Sequence, residues 1–291
     1  MMNLKILASM VVLGLFATSC NDHNNDPMSP LMLNITGLED LGADFRYEGW
    51  LIVNGAPVST GTFSVNSSGT PSSTSFSMLT ANLTGATKFV LTIEPYPDSD
   101  PTPSATHLLA GDFTGTTAPL SIGAPEALNN DFTAATGKYI LATPSNGDNT
   151  DENSGIWFLG SLPPTAGLVL PTLPAGWKYE GWAVIGGTPV TSGTFLTPMG
   201  ADEFNGFSGP SATPPFPGED FLVNAPTGVT FPTDLSGGKV VVSIEPFPDN
   251  SPAPFLLKPL LADVPAGAMD HVVYNMNNII ASNAPTGTAT R

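Results

Sequence analysis

The chain repeats itself at long range. Tyr47 to Phe63 reads YEGWLIVNGAPVSTGTF, and Tyr179 to Phe195 reads YEGWAVIGGTPVTSGTF. Lys88 to Pro101 reads KFVLTIEPYPDSDP, and Lys239 to Pro252 reads KVVVSIEPFPDNSP. The first block returns after 132 positions (179 − 47) and the second after 151 (239 − 88). Such spacings are too long for a solenoid unit and close to an ordinary domain size. The chain is therefore expected to hold two copies of one domain. Roughly 19 more residues separate the blocks in the second copy (151 − 132).

Local patterning points to strands. Thirty prolines and thirty glycines interrupt nearly every helical candidate. Short runs rich in β-branched and aromatic residues, bounded by Gly, Pro, Asn and Asp, recur instead. The first copy offers Tyr47–Val53, Gly61–Val65, Ser75–Met78, Lys88–Glu94, His107–Leu109, Lys138–Ala142 and Ile156–Leu159. The second offers Tyr179–Ile185, Gly193–Leu196, Phe221–Val223, Lys239–Glu245, Phe255–Lys258 and His271–Tyr274. Asn54-Gly55 and Gly186-Gly187 suit two-residue hairpins, because both positions accept positive φ. In Lys88–Glu94, Phe89, Leu91 and Ile93 share one face, which is expected to be core. The fold class is all-β: two tandem antiparallel β-sandwich domains related by internal duplication. The expected boundaries are a signal segment at 1–19, a tether at 20–30, one sandwich at 31–163 and the other at 164–280. Residues 281–291 are expected to be a loose tail. Pro163-Pro164 marks the boundary, and Ser208–Gly218 reads as the insertion in the second copy.

The N-terminus reads as a targeting segment. Lys5 precedes an apolar run, Ile6 to Phe16, too short to span a bilayer, and Ala17-Thr18-Ser19 leads into Cys20. Small residues before a lone cysteine resemble a bacterial lipobox. That resemblance implies cleavage before Cys20 and its lipidation. Cys20 is the single cysteine, so no disulfide within the chain is available. The protein is expected to be exported and held at a membrane of the bacterial envelope by its lipid. A net charge of −17 with scattered Lys and Arg excludes a nucleic-acid surface, which needs clustered cations.

Candidate chemistry is sparse. Glu94 and Glu245 precede proline at equivalent strand ends, and Asp98 and Asp249 follow in equivalent loops. Such carboxylates suit acid–base work or a cation. The favoured reading is structural: Glu accepts bonds from loop amides and Asp initiates the turn. The oxygen-rich run from Asn146 to Asn153, with Asp148, Asp151 and Glu152, is a weak calcium candidate that lacks a helix–loop–helix spacing. Glu219-Asp220 beside the insertion is weaker still. Trp50 and Trp182 sit inside strands and read as buried aromatics, while Trp157 and Trp177 could line a groove. Neither His107 nor His271 has a neighbouring triad pattern, and no cofactor is implied.

The repeated blocks resemble the C-terminal domain of anti-sigma-K factors. The residues that carry the resemblance are Tyr47-Glu48-Gly49-Trp50, Gly61-Thr62-Phe63 and Thr92-Ile93-Glu94-Pro95, with Tyr179-Glu180-Gly181-Trp182, Gly193-Thr194-Phe195 and Ser243-Ile244-Glu245-Pro246. The resemblance implies an extracytoplasmic module tied to sigma-factor regulation. This sequence departs from the family in showing no sigma-gripping helical domain and no transmembrane helix, so direct sigma-factor contact is not expected. The leading expectation is a non-catalytic binding or sensory module whose partner is an envelope protein or polymer. The alternatives are a structural spacer and, less favoured, a hydrolase using acidic residues.

Overall fold

The computed structural model describes residues 26–147, 149–248 and 251–291. The first half supplies β1 (Met28–Thr36), β2 (Phe45–Val53), β3 (Ala56–Phe63), β4 (Ser75–Leu79), a short helix α1 (Thr80–Gly85), β5 (Ala86–Pro95), β6 (His107–Asp112) and β7 (Thr117–Leu120). Then come β8 (Thr136–Leu141), β9 (Gly155–Trp157), β10 (Leu159–Ser161), β11 (Thr165–Ala166), β12 (Leu168–Val169), β13 (Trp177–Ile185) and β14 (Thr188–Phe195). The chain ends with β15 (Gly218–Asp220), β16 (Lys239–Pro246), β17 (Leu260–Asp263), β18 (Tyr274–Asn278), α2 (Ile280–Asn283) and β19 (Thr286–Thr290). The protein is all-β, and its strand pairs are antiparallel.

One layer of the first half is the sheet β3-β2-β5-β6. Its odd-numbered positions Tyr47, Leu51, Phe89, Leu91 and Ile93 point into the main core, as the alternation predicts. Facing them is the sheet β4-β1-β19-β7, whose Leu31, Leu33, Phe76, Met78 and Ala289 are buried in the same cluster. In the second half, β14-β13-β16-β17 continues through β18 into β8, β9 and β15. One continuous apolar cluster takes in residues from both halves.

The repeated blocks fold with the same register. Tyr47 pairs with Phe63 and Tyr179 with Phe195, and both hairpins turn on two residues of positive φ, Asn54-Gly55 and Gly186-Gly187. Each hairpin carries one bulge, between Gly49 and Trp50 or between Gly181 and Trp182. The bulge leaves Thr60 or Ser192 without a partner across the ladder and turns the next residue to positive φ, 102° at Gly61 and 114° at Gly193. Glycine adopts that conformation without a Cβ penalty.

Several expected bounds give way to strand pairing. Met28–Thr36 is a strand, so residues 28–30 of the expected tether belong to the fold. Strand pairing also crosses the expected boundary at 163: β8 pairs with β12 and β18, and β9 pairs with β15. Pro163 lies in the turn of the small β10-β11 hairpin instead. The expected tail is β19, inserted between β1 and β7 so that their backbone groups find partners on both sides. Phe221–Val223 and Phe255–Lys258 are irregular. Leu257 nevertheless runs beside β16 and accepts the Ile244 amide at 2.8 Å.

Candidate functional site

The repeated residues gather on the outer face of each hairpin. Strand alternation that sends Tyr47 and Leu51 inward sends Glu48 and Trp50 outward, beside Thr92 and Glu94 of β5. This outer face is buried as well: Trp50 is 2 % exposed and Glu94 1 %. Trp50 packs with Val90, Ala110 and Ala127, the last from the segment after β7. Its indole Nε1 donates to Thr92 Oγ1 at 2.9 Å, and the Thr92 hydroxyl in turn donates to Glu94. The Ser59 hydroxyl donates to Glu48.

Glu94 ties the end of β5 to the loop beyond it. Both carboxylate oxygens accept the Ser104 amide, at 2.9 and 3.1 Å. Ser104 Oγ and Thr106 Oγ1 donate to the Ile93 carbonyl at 2.8 and 2.6 Å. Burial pushes the Glu94 carboxyl above its usual range, while the bonds from Thr92 and Ser104 pull it back. Asp98 is exposed and accepts the Asp100 amide at 2.8 Å, an Asx turn.

The second half repeats this wiring. Trp182 Nε1 donates to Ser243 Oγ at 2.8 Å, Thr191 Oγ1 donates to Glu180 at 2.5 Å, and Glu245 accepts the Phe255 amide at 2.9 and 3.1 Å. Arg46 lies over the Tyr96 ring at 4.3 Å, and Lys178 over the Phe247 ring at 3.9 Å. Both are cation–π contacts at equivalent places. In each half the carboxylate is spent on holding its own loop.

The remaining sequence candidates scatter. Cys20, Asp148 and Asp249 lie outside the described residues. Asp151 and Glu152 help line an open acidic cavity of about 380 Å³, together with Asn153, Asp234 and Asp270. Within that wall, Glu152 accepts the Thr143 amide at 3.0 Å and Asp234 accepts the Ser236 amide at 2.9 Å. His107 Nδ1 is 2.8 Å from the Glu126 carbonyl oxygen, and His271 stands beside Asp270 at 2.9 Å. Trp177 is buried against Phe255, with ring centroids 6.0 Å apart, so it lines no open groove.

Sequence reasoning undervalued Glu219-Asp220. Both are fully buried. Asp220 accepts Trp157 Nε1 at 2.7 Å and the Ser145 amide at 2.7 Å. Glu219 accepts the Ser208 hydroxyl and, at 3.0 Å, the Asp220 amide. Asp202 accepts the Gly218 amide at 2.8 Å and the Phe204 amide at 2.9 Å. Burial, reinforced by neighbouring carboxylates, pushes Glu219 up to about 7 and Asp202 up to about 6. These acids clamp the insertion between β14 and β16 onto β9. The sequence shows only two adjacent acids after a proline-rich loop; their partners come together through the fold.

Residues 24–107 match the family model described as Anti-sigma-K factor rskA, C-terminal. The match runs from just before β1 to the first residue of β6 and includes the first Trp50–Glu94 cluster. Comparison with curated proteins and with solved structures gave no match. That description names a regulatory family and no catalytic activity. Among the described residues, no group of three or more His, Cys, Asp or Glu is placed to hold a metal ion. No helix among the described residues is long and apolar enough to cross a membrane.

Proposed function

We propose that this protein is an exported, lipid-anchored and non-catalytic module that binds a protein or polymer of the bacterial envelope. The match of residues 24–107 to an anti-sigma-K C-terminal domain carries this reading. It is supported by the repeated carboxylates, since Glu94 and Glu245 are held by loop amides and so are unavailable as a free acid–base pair. We read the second set of Trp, Glu and bulged hairpin as a duplicate of the first, because register and hydrogen bonding recur residue by residue. Any regulatory role is exerted from outside the membrane, without direct sigma-factor contact.

The anchor is Cys20. Replacing it with serine removes the acylation site and moves the protein from the membrane fraction to the soluble one, read by fractionation after a high-salt wash. Retention of Cys20→Ser in the membrane defeats the anchor. Binding is tested with the same soluble protein as bait in envelope extracts. A partner lost when the loops beyond β5 and β16 are exchanged for short glycine turns supports the module. Retention of that partner by the exchanged protein places the binding surface elsewhere, and the absence of any partner favours a spacer.

A further inference from the structure

We propose that the outer face of the β4-β1-β19-β7 sheet is the surface this protein lays against the bilayer. The inference rests on the lipid anchor at Cys20 proposed above and adds to it an orientation of the folded body. The inner face of this sheet is core, but the outward positions are open. Met28 is 54 % exposed, Met32 45 % and Leu79 38 %, and Met28 and Leu79 are direct partners across the β1–β4 ladder. Pro30 stands exposed between the two methionines on the same face.

Charge separates this face from the rest of the molecule. The chain has 25 Asp and Glu against 8 Lys and Arg, yet none of the four strands contains a charged residue. Both other large sheets carry several, such as Arg46, Glu48 and Lys88 in one, and Lys178, Glu180 and Asp263 in the other. Anionic headgroups repel carboxylates, and bringing a charge against lipid strips its water. An uncharged face bearing two thioethers and a leucine avoids both costs, and apolar side chains gain by leaving water.

Reach selects the same face. Cys20 is eight residues before Met28, a span of at most about 29 Å even when fully extended. A folded body of this size is roughly 45 Å across. An anchor at Cys20 therefore keeps the start of β1 near the bilayer and prevents the far side of the molecule from turning down to it. At that distance a weak apolar contact acts at high effective concentration.

The test uses the lipidated full-length protein in phosphatidylethanolamine–phosphatidylglycerol vesicles. Acylation consumes the Cys20 thiol, so a cysteine introduced as Met32→Cys or, for comparison, Met269→Cys is the single labelling site. Met269 is 65 % exposed and lies in the loop before β18. With an environment-sensitive fluorophore, the position 32 label is expected to be blue-shifted and several-fold less quenched by iodide than the position 269 label. In a Cys20→Ser background with no vesicles, the two labels should be quenched alike. Equal quenching on vesicles overturns the proposal. So does protection at position 32 that persists without vesicles or grows with protein density, which marks a second copy as the occupant. A mass for Cys20 without acyl chains removes the anchor and this orientation together, whereas an anchored protein with an open position 32 removes the orientation alone.

Discussion

The β2-β3-β5 hairpin region and the β13-β14-β16 region are built from nearly the same sentence, yet they are closed by different means. In both, the bulge brings a glycine, Gly49 or Gly181, under a phenylalanine ring. A Cβ on Gly49 would meet Phe89 at 2.8 Å, and one on Gly181 would meet Phe158 at 2.6 Å. Phe89 comes from the neighbouring repeated strand. Its counterpart in the second block is the smaller Val240, and the ring arrives instead from Phe158, next to β9. The surroundings differ more. The first region is covered by a separate sheet that includes β19 from the end of the chain, whereas β18, β8, β9 and β15 continue the sheet of the second. The repeated residues thus specify a strand–turn–strand unit with its buried Trp and Glu, while segments outside the repeat decide what covers it.

The strongest way to break the comparison is to remove the cover. Truncation after Asn283 deletes β19, leaving β1 and β7 unpaired on facing edges and Ala289 missing from the core. The expected loss is on the order of 4–5 kcal/mol, concentrated in the first half. It is read as selective loss of amide protection in β1, β2 and β5 by hydrogen exchange. Uniform protection would show that β19 is dispensable.

Alanine at the covered glycine tests whether the two phenylalanines are equivalent. Gly49→Ala and Gly181→Ala each force a ring and a bulge hydroxyl to shift, at a cost of about 1–3 kcal/mol in urea unfolding. Adding Phe158→Leu should relieve Gly181→Ala but leave Gly49→Ala unchanged. Equal rescue of both would break the assignment of separate covers.

The buried acids of the insertion have no counterpart in the first hairpin region, and they give the second a pH signature. Because Glu219 and Asp202 are raised to about 7 and about 6, the folded state binds more protons than the unfolded one between pH ~4 and ~7. Their contribution to stability therefore declines as pH rises through that window. Glu219→Gln should flatten the decline by about 1–3 kcal/mol between pH 5 and pH 8, read from urea midpoints. An unchanged slope would remove Glu219 as its source.

Smallest is the effect of a conservative change in the loop clamps. Glu94→Gln retains an acceptor for the Ser104 amide and is expected to cost about 1 kcal/mol or less, while Glu94→Ala costs about 1–3 kcal/mol. Glu245 should give the same pair of values within error. A calcium-dependent rise in melting temperature lost in Glu94→Gln would instead make the site a cation ligand.

How far the sequence could be read follows from the same division. Hairpins and the core face of β5 were legible because turn chemistry and period-two alternation are local properties. The partners of β8 and β9 were not, since Pro163-Pro164 looks alike in a linker and in the turn of a small hairpin. Thr286–Thr290, TGTAT, offers no large apolar residue, and its place is set by the unpaired edges of β1 and β7. Glu219-Asp220 gained weight only when the fold brought Ser145, Trp157 and Ser208 around them.

The pairing of the first strand with the last also settles how the molecule bears load. A pull on the chain before Met28 acts along β1, which is held by β4 on one side and β19 on the other. Tension of that kind shears two ladders at once instead of peeling bonds one at a time from an edge. The start of β1 is therefore a mechanically firm point of the folded body.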